Sequence, residues 1–358
     1  MQPLLPLAKH AAQAGHDVLV TGAASLAAHA TSRGLAFTAT GPDLQPIHAP
    51  LVVHDLDEER GAVAGYFVAR LGRSRAEAVL EVCRWWRPHV IVRDEVDFGA
   101  AVAAEAAGLP HVRVIVIGAG QFILREIVSD PLDLLLSEFG VKDVHGFDAL
   151  HRHLTLTPFP PSFRSEEDAL PGSVVRYHVP APARAIRSKR TVFVTLGTVF
   201  NTESGDLLRT AALGAADCPT VDRVIVATGE HVPPATLGRL PQQVAVHPFV
   251  QQDAVLAECD AVISHAGSGT VLGALKQALP MVSLPMGADQ QLNAARLDTL
   301  GLGVSLRADS TDIDQVRESL VQVLASSRMQ QRLTTIAAEI AASPGLAEAT
   351  HAVEALVP

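Results

Sequence analysis

The stretch that decides the fold is Cys259–Asn293, CDAVISHAGSGTVLGALKQALPMVSLPMGADQQLN. A short apolar run, Ala261–Ser264, is followed by a turn with two glycines and then by a helical pattern. A second apolar run, Met281–Leu284, follows that helix and leads into another helical pattern. A buried strand, a crossover helix and a second buried strand are typical of a parallel sheet covered by helices.

The same alternation extends in both directions along the chain. It predicts further strands at Thr191–Leu196, Arg223–Ala227, Val244–His247, Asp17–Thr21, Val90–Val92 and His111–Ile117. Prolines crowd between the two halves, so we expect residues 129–190 to resist regular structure, because proline fixes φ and lacks a backbone donor. The predicted fold class is α/β, with two doubly wound, Rossmann-like domains that face each other across a cleft.

The predicted domain limits come from this alternation. We assign residues 1–185 to an N-terminal domain and residues 190–345 to a C-terminal domain, with a linker near Tyr177–Lys189. Residues 346–358 are expected to form a C-terminal helix that packs back toward the N-terminal domain.

Composition excludes several classes of protein. The 358 residues carry 28 Lys+Arg against 38 Asp+Glu, a formal charge of −10, which argues against a nucleic-acid partner. Mean hydropathy is +0.24, yet no apolar run reaches the ~18 residues of a membrane span, so we expect no membrane partner. The three cysteines are far apart and suggest neither a disulfide framework nor a zinc site, which favours a cytoplasmic protein.

The glycine-containing turn is the first candidate site. Gly267 and Gly269 allow close approach of a ligand, and the free N–H groups of a helix start suit an anion such as a diphosphate. Ser268 and Thr270 add hydroxyls, and His265 can donate a hydrogen bond to a phosphate oxygen. An ordinary strand-to-helix turn remains the alternative, although its place at the carboxyl end of a strand favours function.

Two neighbouring segments add polar groups. Asp289 and Gln290 follow the next strand and suit a cluster of sugar hydroxyls; the alternative is that Asp289 caps a helix. Phe249 follows another strand and could stack on a nucleobase, with Gln252 on a ribose; the alternative is that Phe249 belongs to the core.

Together these residues resemble the donor-binding signature of family 1 glycosyltransferases with the GT-B fold, most closely the bacterial natural-product branch. The resemblance covers Pro248–Val304 through an aromatic-x-x-Gln, CDxxxxHxGxGT, ALPxVxLP and DQxxNAxR, in that order. It extends more loosely to VFVTLGT at Val192–Thr198. One departure is FVQQ at Phe249–Gln252, where the family commonly has Trp-x-Pro-Gln.

The resemblance implies an inverting glycosyltransferase of the hexosyltransferase type, active in antibiotic biosynthesis and other secondary metabolism. It would move a sugar from a nucleoside diphosphate, with a TDP-deoxysugar favoured and a UDP-hexose open, to a hydroxyl of a small lipophilic natural product. No metal or other cofactor is expected, and a homodimer is left open. The donor residues that it implies are Thr198, Phe249, Val250, Gln252, His265, Gly267, Ser268, Gly269, Thr270, Asp289 and Gln290.

The acceptor is expected in the N-terminal half. The segments 55–76 and 120–161 hold aromatic side chains that could line an apolar pocket or simply pack loop helices onto the domain. These side chains are Tyr66, Phe67, Phe122, Phe139 and Phe147.

The catalytic base is expected at the start of the chain. In the family it is a His before x-x-Pro at the end of the first strand, and Pro3–Ala8 matches the residues that come directly after that His. We therefore expect the first strand and the His to be encoded upstream of Met1, and their loss to leave an apolar slot in the sheet. Asp94 matches the supporting Asp, although Glu95 and Asp97 lie close by and Asp94 could instead cap the next helix. The rival interpretation is a non-catalytic nucleotide-sugar-binding helper or an inactive truncated remnant.

Overall fold

A computed structural model describes residues 3–43, 49–184, 188–198 and 200–357 of the chain. The predicted limits at residues 1, 185 and 358, and part of the expected linker Tyr177–Lys189, therefore lie outside the described residues.

Helices and short parallel strands alternate along the described chain. The N-terminal elements are α1 (Leu5–Gln13), β1 (Leu19–Gly22), α2 (Ala27–Thr31), β2 (Ala36–Ala39), α3 (Leu56–Ala62), a π-helix (Val63–Leu71), α4 (Gly72–Trp86), β3 (Ile91–Asp94), α5 (Phe98–Ala107), β4 (His111–Val114), α6 (Arg125–Glu138), β5 (Leu154–Thr157) and β6 (Ser173–Arg176). The C-terminal elements are β7 (Thr191–Thr195), α7 (Leu207–Ala216), β8 (Arg223–Ala227), β9 (Val244–His247), α8 (Gln252–Leu256), β10 (Ala261–Ser264), α9 (Ser268–Lys276), β11 (Met281–Ser283), α10 (Gln290–Leu300), β12 (Gly303–Ser305), α11 (Ile313–Ala325), α12 (Ser327–Ala342) and α13 (Leu346–Glu354).

The C-terminal sheet is doubly wound. Its strand order is β12-β11-β10-β7-β8-β9 and every pair is parallel, with Val192 opposite Ala261 on one side and Val224 on the other. All residues of β7 and β10 are buried, as expected where helices cover both faces. After β7 the chain adds β8 and β9 on one side of it and then β10, β11 and β12 on the other. The order of the strands therefore reverses between β7 and β10, and such a switch point opens a crevice at the carboxyl ends of the strands. The predicted α/β fold class is confirmed.

The N-terminal strands fall into two separate sheets. One has the order β3-β4-β5-β6 and the other pairs β1 with β2, and both are parallel. Among the described residues no strand joins β1 to β3. Instead a cavity of about 1080 Å³ lies between them, bordered by α1, β1, α4 and β3.

The expectation that residues 129–190 resist regular structure is wrong. The segment contains most of α6, with Pro131 inside it, and the strands β5 and β6. The prolines at 158, 160 and 161 follow β5, and those at 180 and 182 follow β6. These prolines therefore lie in the loops that follow the strands, and the four-residue strands themselves contain none.

The C-terminal helix α13 lies against the N-terminal domain. Ala349 is fully buried in an apolar cluster with Leu7, Val112 and Leu156, and a hydrogen bond of 3.0 Å joins the side chains of His10 and Thr350. Of the described helices, none combines the length and the apolar character that crossing a bilayer requires.

Candidate functional site

The turn after β10 presents unpaired backbone donors. Gly267 precedes α9 and no side chain caps the first turn of that helix. The N–H groups of Thr270 and Val271 both bond to the Gly267 carbonyl, which leaves those of Ser268 and Gly269 to a ligand. Gly269 is exposed, and a Cβ built there would meet nothing within 4 Å. A helix start with free N–H groups and open space beside it suits an anion.

His265 lies between two glycines. A Cβ at Gly197, after β7, would come within 2.7 Å of the imidazole, and one at Gly267 would come within 2.4 Å of Nε2. Gly267 therefore makes room for the His265 ring, whereas Gly269 borders open space in which a ligand would fit. Burial lowers the pKa of His265 to about 4, so the ring is neutral near pH 7 and can donate one N–H hydrogen bond.

Asp289 reaches back to the start of α9. Its Oδ2 accepts from Ser268 Oγ and, at 2.8 Å, from Asn293 Nδ2. No side-chain hydrogen bond of Asp289 caps α10, so the capping alternative is not what the structure contains. Burial raises the pKa of Asp289, and the hydrogen bonds from Ser268 and Asn293 oppose that rise.

Asn293 is the residue that the sequence reasoning missed. It is fully buried, and its Nδ2 also donates to the Ala266 carbonyl at 3.0 Å and to Ser268 Oγ at 2.9 Å. The available signal was its place in DQxxNAxR, one helical turn after Asp289, where both side chains share a face of α10.

The loop after β4 brings the N-terminal domain to this cluster. The Gly118 N–H donates to Ser268 Oγ at 2.8 Å, and the Ala119 N–H donates to Asn293 Oδ1 at 3.0 Å. The Ser268 hydroxyl is thus engaged by three protein partners, Gly118, Asp289 and Asn293. What Ser268 still offers a ligand is its backbone N–H.

Gln290 braces the loop after β11. It is buried, and its Oε1 accepts from the N–H groups of Met286 at 2.9 Å and Gly287 at 3.3 Å. His54 of the N-terminal domain meets the same loop, since its N–H donates to the Met286 carbonyl at 2.7 Å and its ring packs edge-on against Phe200. No motif in the sequence around His54 indicated this contact with the loop after β11.

The remaining donor candidates follow β9 and β7. Phe249 is 43% exposed, so it is not a core residue, while Val250 packs against the core. Gln252 Oε1 accepts from Thr270 Oγ1 at 3.2 Å, and Gln252 Nε2 donates to the Gly269 carbonyl at 3.4 Å. Thr198 is exposed in the loop after β7.

Asp94 lies in the N-terminal domain, apart from this group. Its Oδ1 accepts from the Val96 N–H at 3.0 Å, and burial together with the nearby Asp97 charge raises its pKa. Asp97 is the residue that caps α5 and pairs with Arg75 at 2.9 Å. Glu95 instead accepts hydrogen bonds from the backbone N–H groups of Val116 and Ile117, which follow β4. The three carboxylates therefore have different hydrogen-bond partners. Asp97, and not Asp94, is the residue that caps the next helix.

The aromatic candidates for an acceptor pocket divide by burial. Phe122 is buried, Phe139 and Phe147 pack partly on the same core, and Tyr66 and Phe67 are each 37% exposed. The exposed pair lies on the π-helix with ring centroids 5.5 Å apart.

One cluster of metal-ligating residues was not visible in the sequence. Glu105, His111 and His153 bring potential ligand atoms within 4.8 Å of one another at the amino end of β4. His111 already bonds to Glu105 and Arg93, and Glu105 also pairs with Arg152. The cluster lies at the end of β4 opposite the turn that follows β10, so it is no part of the candidate site.

Comparison with known proteins places these residues in context. Residues 213–356 match the family model for the C-terminal domain of erythromycin biosynthesis protein CIII-like proteins. TDP-daunosamine transferase from Streptomyces peucetius is 27% identical over 95% of this chain and 90% of its own. The 3-alpha-mycarosylerythronolide B desosaminyl transferase of Saccharopolyspora erythraea is 27% identical over 99% of this chain and 94% of its own.

Solved structures agree along the whole chain. Spinosyn rhamnosyltransferase in complex with thymidine diphosphate superimposes with a TM-score of 0.79 at 25% identity, covering 98% of this chain and 95% of its own. A calicheamicin glycosyltransferase gives 0.78 at 24% identity, over 99% and 94% of the two chains.

Proposed function

Because this chain belongs to the bacterial natural-product branch of the family 1 glycosyltransferases, we propose that it transfers a deoxysugar from a TDP-sugar to a hydroxyl of a small lipophilic natural product. The names of the relatives favour thymidine diphosphate as the carrier, since one is a TDP-daunosamine transferase and another was solved with thymidine diphosphate. A UDP-hexose is the second donor that the test must include.

One observation carries the proposal: an uncapped helix start beside His265 at the switch point of the C-terminal sheet. The N–H groups of Ser268 and Gly269 would meet the diphosphate, and His265 would donate to one of its oxygens. As the bond from the anomeric carbon to the diphosphate breaks, negative charge grows on the leaving oxygen. Fixed donors aimed at that charge stabilise the transition state more than the ground state.

The sugar and the nucleobase of the donor would lie on either side of this anion site. Asp289 and Gln290 follow β11 and would contact sugar hydroxyls, while Phe249 offers an exposed ring to the nucleobase and Gln252 lies toward the ribose. Val250, Thr270 and Thr198 would complete the contacts to the nucleotide.

The acceptor hydroxyl needs a base, because an alcohol must lose its proton as it attacks the anomeric carbon. Attack opposite the leaving diphosphate inverts that carbon. Asp94 supports such a step as a partner of a base, since its half-buried carboxylate accepts one hydrogen bond, from Val96. No imidazole among the described residues is hydrogen-bonded to Asp94, and this favours the second candidate, a nucleotide-sugar-binding protein without turnover.

Calorimetry with TDP, UDP and GDP tests the donor half of the proposal. TDP should bind most tightly, with one site per chain, whereas tighter binding of GDP or no nucleotide binding would contradict it. A panel of hydroxyl-bearing aglycones with a TDP-sugar then tests transfer, and the anomeric configuration of the product tests inversion. Tight TDP binding without product on the panel would favour the binding protein.

A further inference from the structure

His54 lies where the N-terminal half of the molecule meets the loop between β11 and α10. The side chain of the next residue, Asp55, caps α3, because it accepts hydrogen bonds from two N–H groups in the first turn of that helix. This cap fixes the end of the segment that holds His54. Upstream, the Val52 N–H donates to the Glu203 carbonyl of the C-terminal half at 3.1 Å. His54 is therefore anchored on both sides, at the boundary between the two halves.

The main chain of His54 holds the turn formed by residues 286–291, which we call the β11–α10 turn. Its N–H donates to the Met286 carbonyl at 2.7 Å, and its carbonyl accepts from Gln291 Nε2, also at 2.7 Å. Asp289 and Gln290 lie between these two attachment points. One residue of the N-terminal half thus fixes both ends of the segment that carries the two proposed sugar contacts.

The His54 ring packs against the same turn. A Cβ built on Gly287 would lie 3.1 Å from His54 Cδ2 and 2.8 Å from Phe200 Cε1. The two rings meet edge-on, with centroids 5.5 Å apart. The Gly287 backbone is therefore enclosed between His54 and Phe200, and the position of the His54 ring determines where the turn can lie.

A carboxylate from each half orients the His54 ring. Glu203 Oε2, of the C-terminal half, lies 3.1 Å from His54 Nε2, and Glu59 Oε1, of α3, lies 3.4 Å from Nδ1. The side chains of Glu203 and Glu59 are 13% and 23% exposed, so solvent screens these contacts only in part. In the part of the chain that the structure describes, neither carboxylate pairs with a lysine or an arginine. The imidazole is thus their shared partner, and both of its nitrogens are engaged.

The β11–α10 turn needs support from its neighbours. Ala288 has a φ of +50°, a left-handed conformation that alanine rarely adopts, and it directly precedes Asp289. A residue in such a conformation persists only where its surroundings hold it. Gln290 supports the turn from within, through its bonds to two N–H groups of the turn. His54 supports it from the other half of the molecule.

We propose that His54 is a positioning residue for the donor sugar. It acts through the β11–α10 turn, which it holds in the shape that presents Asp289 and Gln290 to the sugar. The inference rests on the proposed function, in which these two residues contact sugar hydroxyls. Among the described residues, His54 has no hydrogen bond to His265 or Ser268. Binding of the diphosphate should therefore not need the His54 side chain.

Isothermal titration calorimetry with TDP, TDP-rhamnose and TDP-glucose tests the proposal. The quantity to compare is the Kd of the tighter-binding TDP-sugar divided by the Kd of TDP. In His54→Ala this ratio should rise about fivefold or more, as expected for the loss of a typical hydrogen bond, while the Kd of TDP stays within about twofold of the parent's. Partial unfolding would instead weaken both ligands by the same factor.

Gly287→Ala reaches the turn from the other side. Its methyl would displace His54 or Phe200, so the ratio should rise here as well, including where His54→Ala fails to fold. Ser162→Ala is the matched control, because the Ser162 hydroxyl also bonds across the two halves, to Glu339, but outside the β11–α10 turn. The control should keep the parent's ratio. Circular dichroism verifies that each variant is folded.

Hydrogen exchange reports on the turn without a ligand. Peptides that cover residues 284–292 should exchange about tenfold faster in His54→Ala than in the parent, because local opening of the turn becomes easier. Peptides that cover residues 265–272, at the diphosphate site, should exchange at the parent's rate.

The proposal is overturned if the ratio in the folded variants stays within about twofold of the parent's, or if the Kd of TDP rises by the same factor as that of the TDP-sugar. It is also overturned if Ser162→Ala raises the ratio equally, or if the parent binds TDP but neither TDP-sugar. Absence of TDP binding would contradict the proposed function itself, whereas the exchange of residues 284–292 would still report whether His54 holds the turn.

Discussion

Replacing His265 by alanine should weaken TDP binding without unfolding the C-terminal domain. Hydrogen bonds to charged groups contribute about 1.5–3 kcal/mol, so Kd should rise roughly 10- to 150-fold. The loss is expected from the ring itself, because the His265 imidazole lies against Gly197 and Gly267 beside the start of α9. His265→Gln, which retains an N–H donor, should recover part of the affinity.

A second perturbation reaches the same ring without removing it. In Gly267→Ala the new Cβ would lie 2.4 Å from His265 Nε2, so the imidazole must shift, although the backbone at φ −62° accepts alanine. TDP affinity should fall here too. His145→Ala, whose side chain is 79% exposed in the N-terminal domain, provides the matched histidine control and should bind TDP normally.

Isothermal titration calorimetry with TDP and UDP measures the effect, and circular dichroism verifies that each variant is folded. A folded His265→Ala protein with the parent's affinity for both nucleotides would refute the assignment of His265 to the diphosphate. Loss of affinity in His145→Ala as well would point to a general defect instead.

Three further outcomes are expected from the same geometry. Gly269→Ala should hold or raise the thermal midpoint, since alanine favours a helix by up to about 1 kcal/mol, yet weaken TDP binding because its methyl enters the ligand's space; normal TDP affinity would contradict this. The free energy of unfolding should fall as pH drops from 6.5 toward 4, because burial lowers the pKa of His111 and of His265 to about 4, and unfolded histidines take up protons that the native ones do not. His111→Gln should flatten that slope, measured by urea titration at several pH values, by up to ~1.4 kcal/mol per pH unit; an unchanged slope would exclude His111 as a source. TDP affinity should be equal in EDTA and in magnesium, because the proposed diphosphate site consists of N–H donors and the cluster that includes His111 lies at the opposite end of β4; a loss in EDTA restored by magnesium would contradict this.

The sequence predicted the C-terminal sheet well because its strands are short apolar runs, which are fully buried in β7, β10 and β11. Arg223–Ala227, Val244–His247 and Ala261–Ser264 begin and end as expected. Prediction failed at residues 129–190, where proline density was taken for irregular structure. The four-residue strand β5 ends directly before Pro158 and β6 lies between Pro171 and Pro180, and partners in the sheet, rather than local propensity, stabilise both strands.

The site was predictable as a set of residues but not as a network. Sequence motifs pointed to His265, Ser268 and Asp289, each beside the end of a strand. The roles that the structure adds depend on contacts between distant parts of the chain. Asn293 receives the Ala119 N–H from 174 residues away, and no periodicity in the sequence reports such a bond.

Two of the amides that cross between the domains, those of Gly118 and Ala119, also bear on how the molecule could move. A hinge rotation that widened the cleft would strip Gly118 from Ser268 and Ala119 from Asn293 in the same step. Ser268 begins α9 and Asn293 of α10 is hydrogen-bonded to it, so opening would loosen the helix turn that is proposed to bind the nucleotide. If the proposed function holds, loss of these two hydrogen bonds would couple separation of the domains to release of the nucleoside diphosphate.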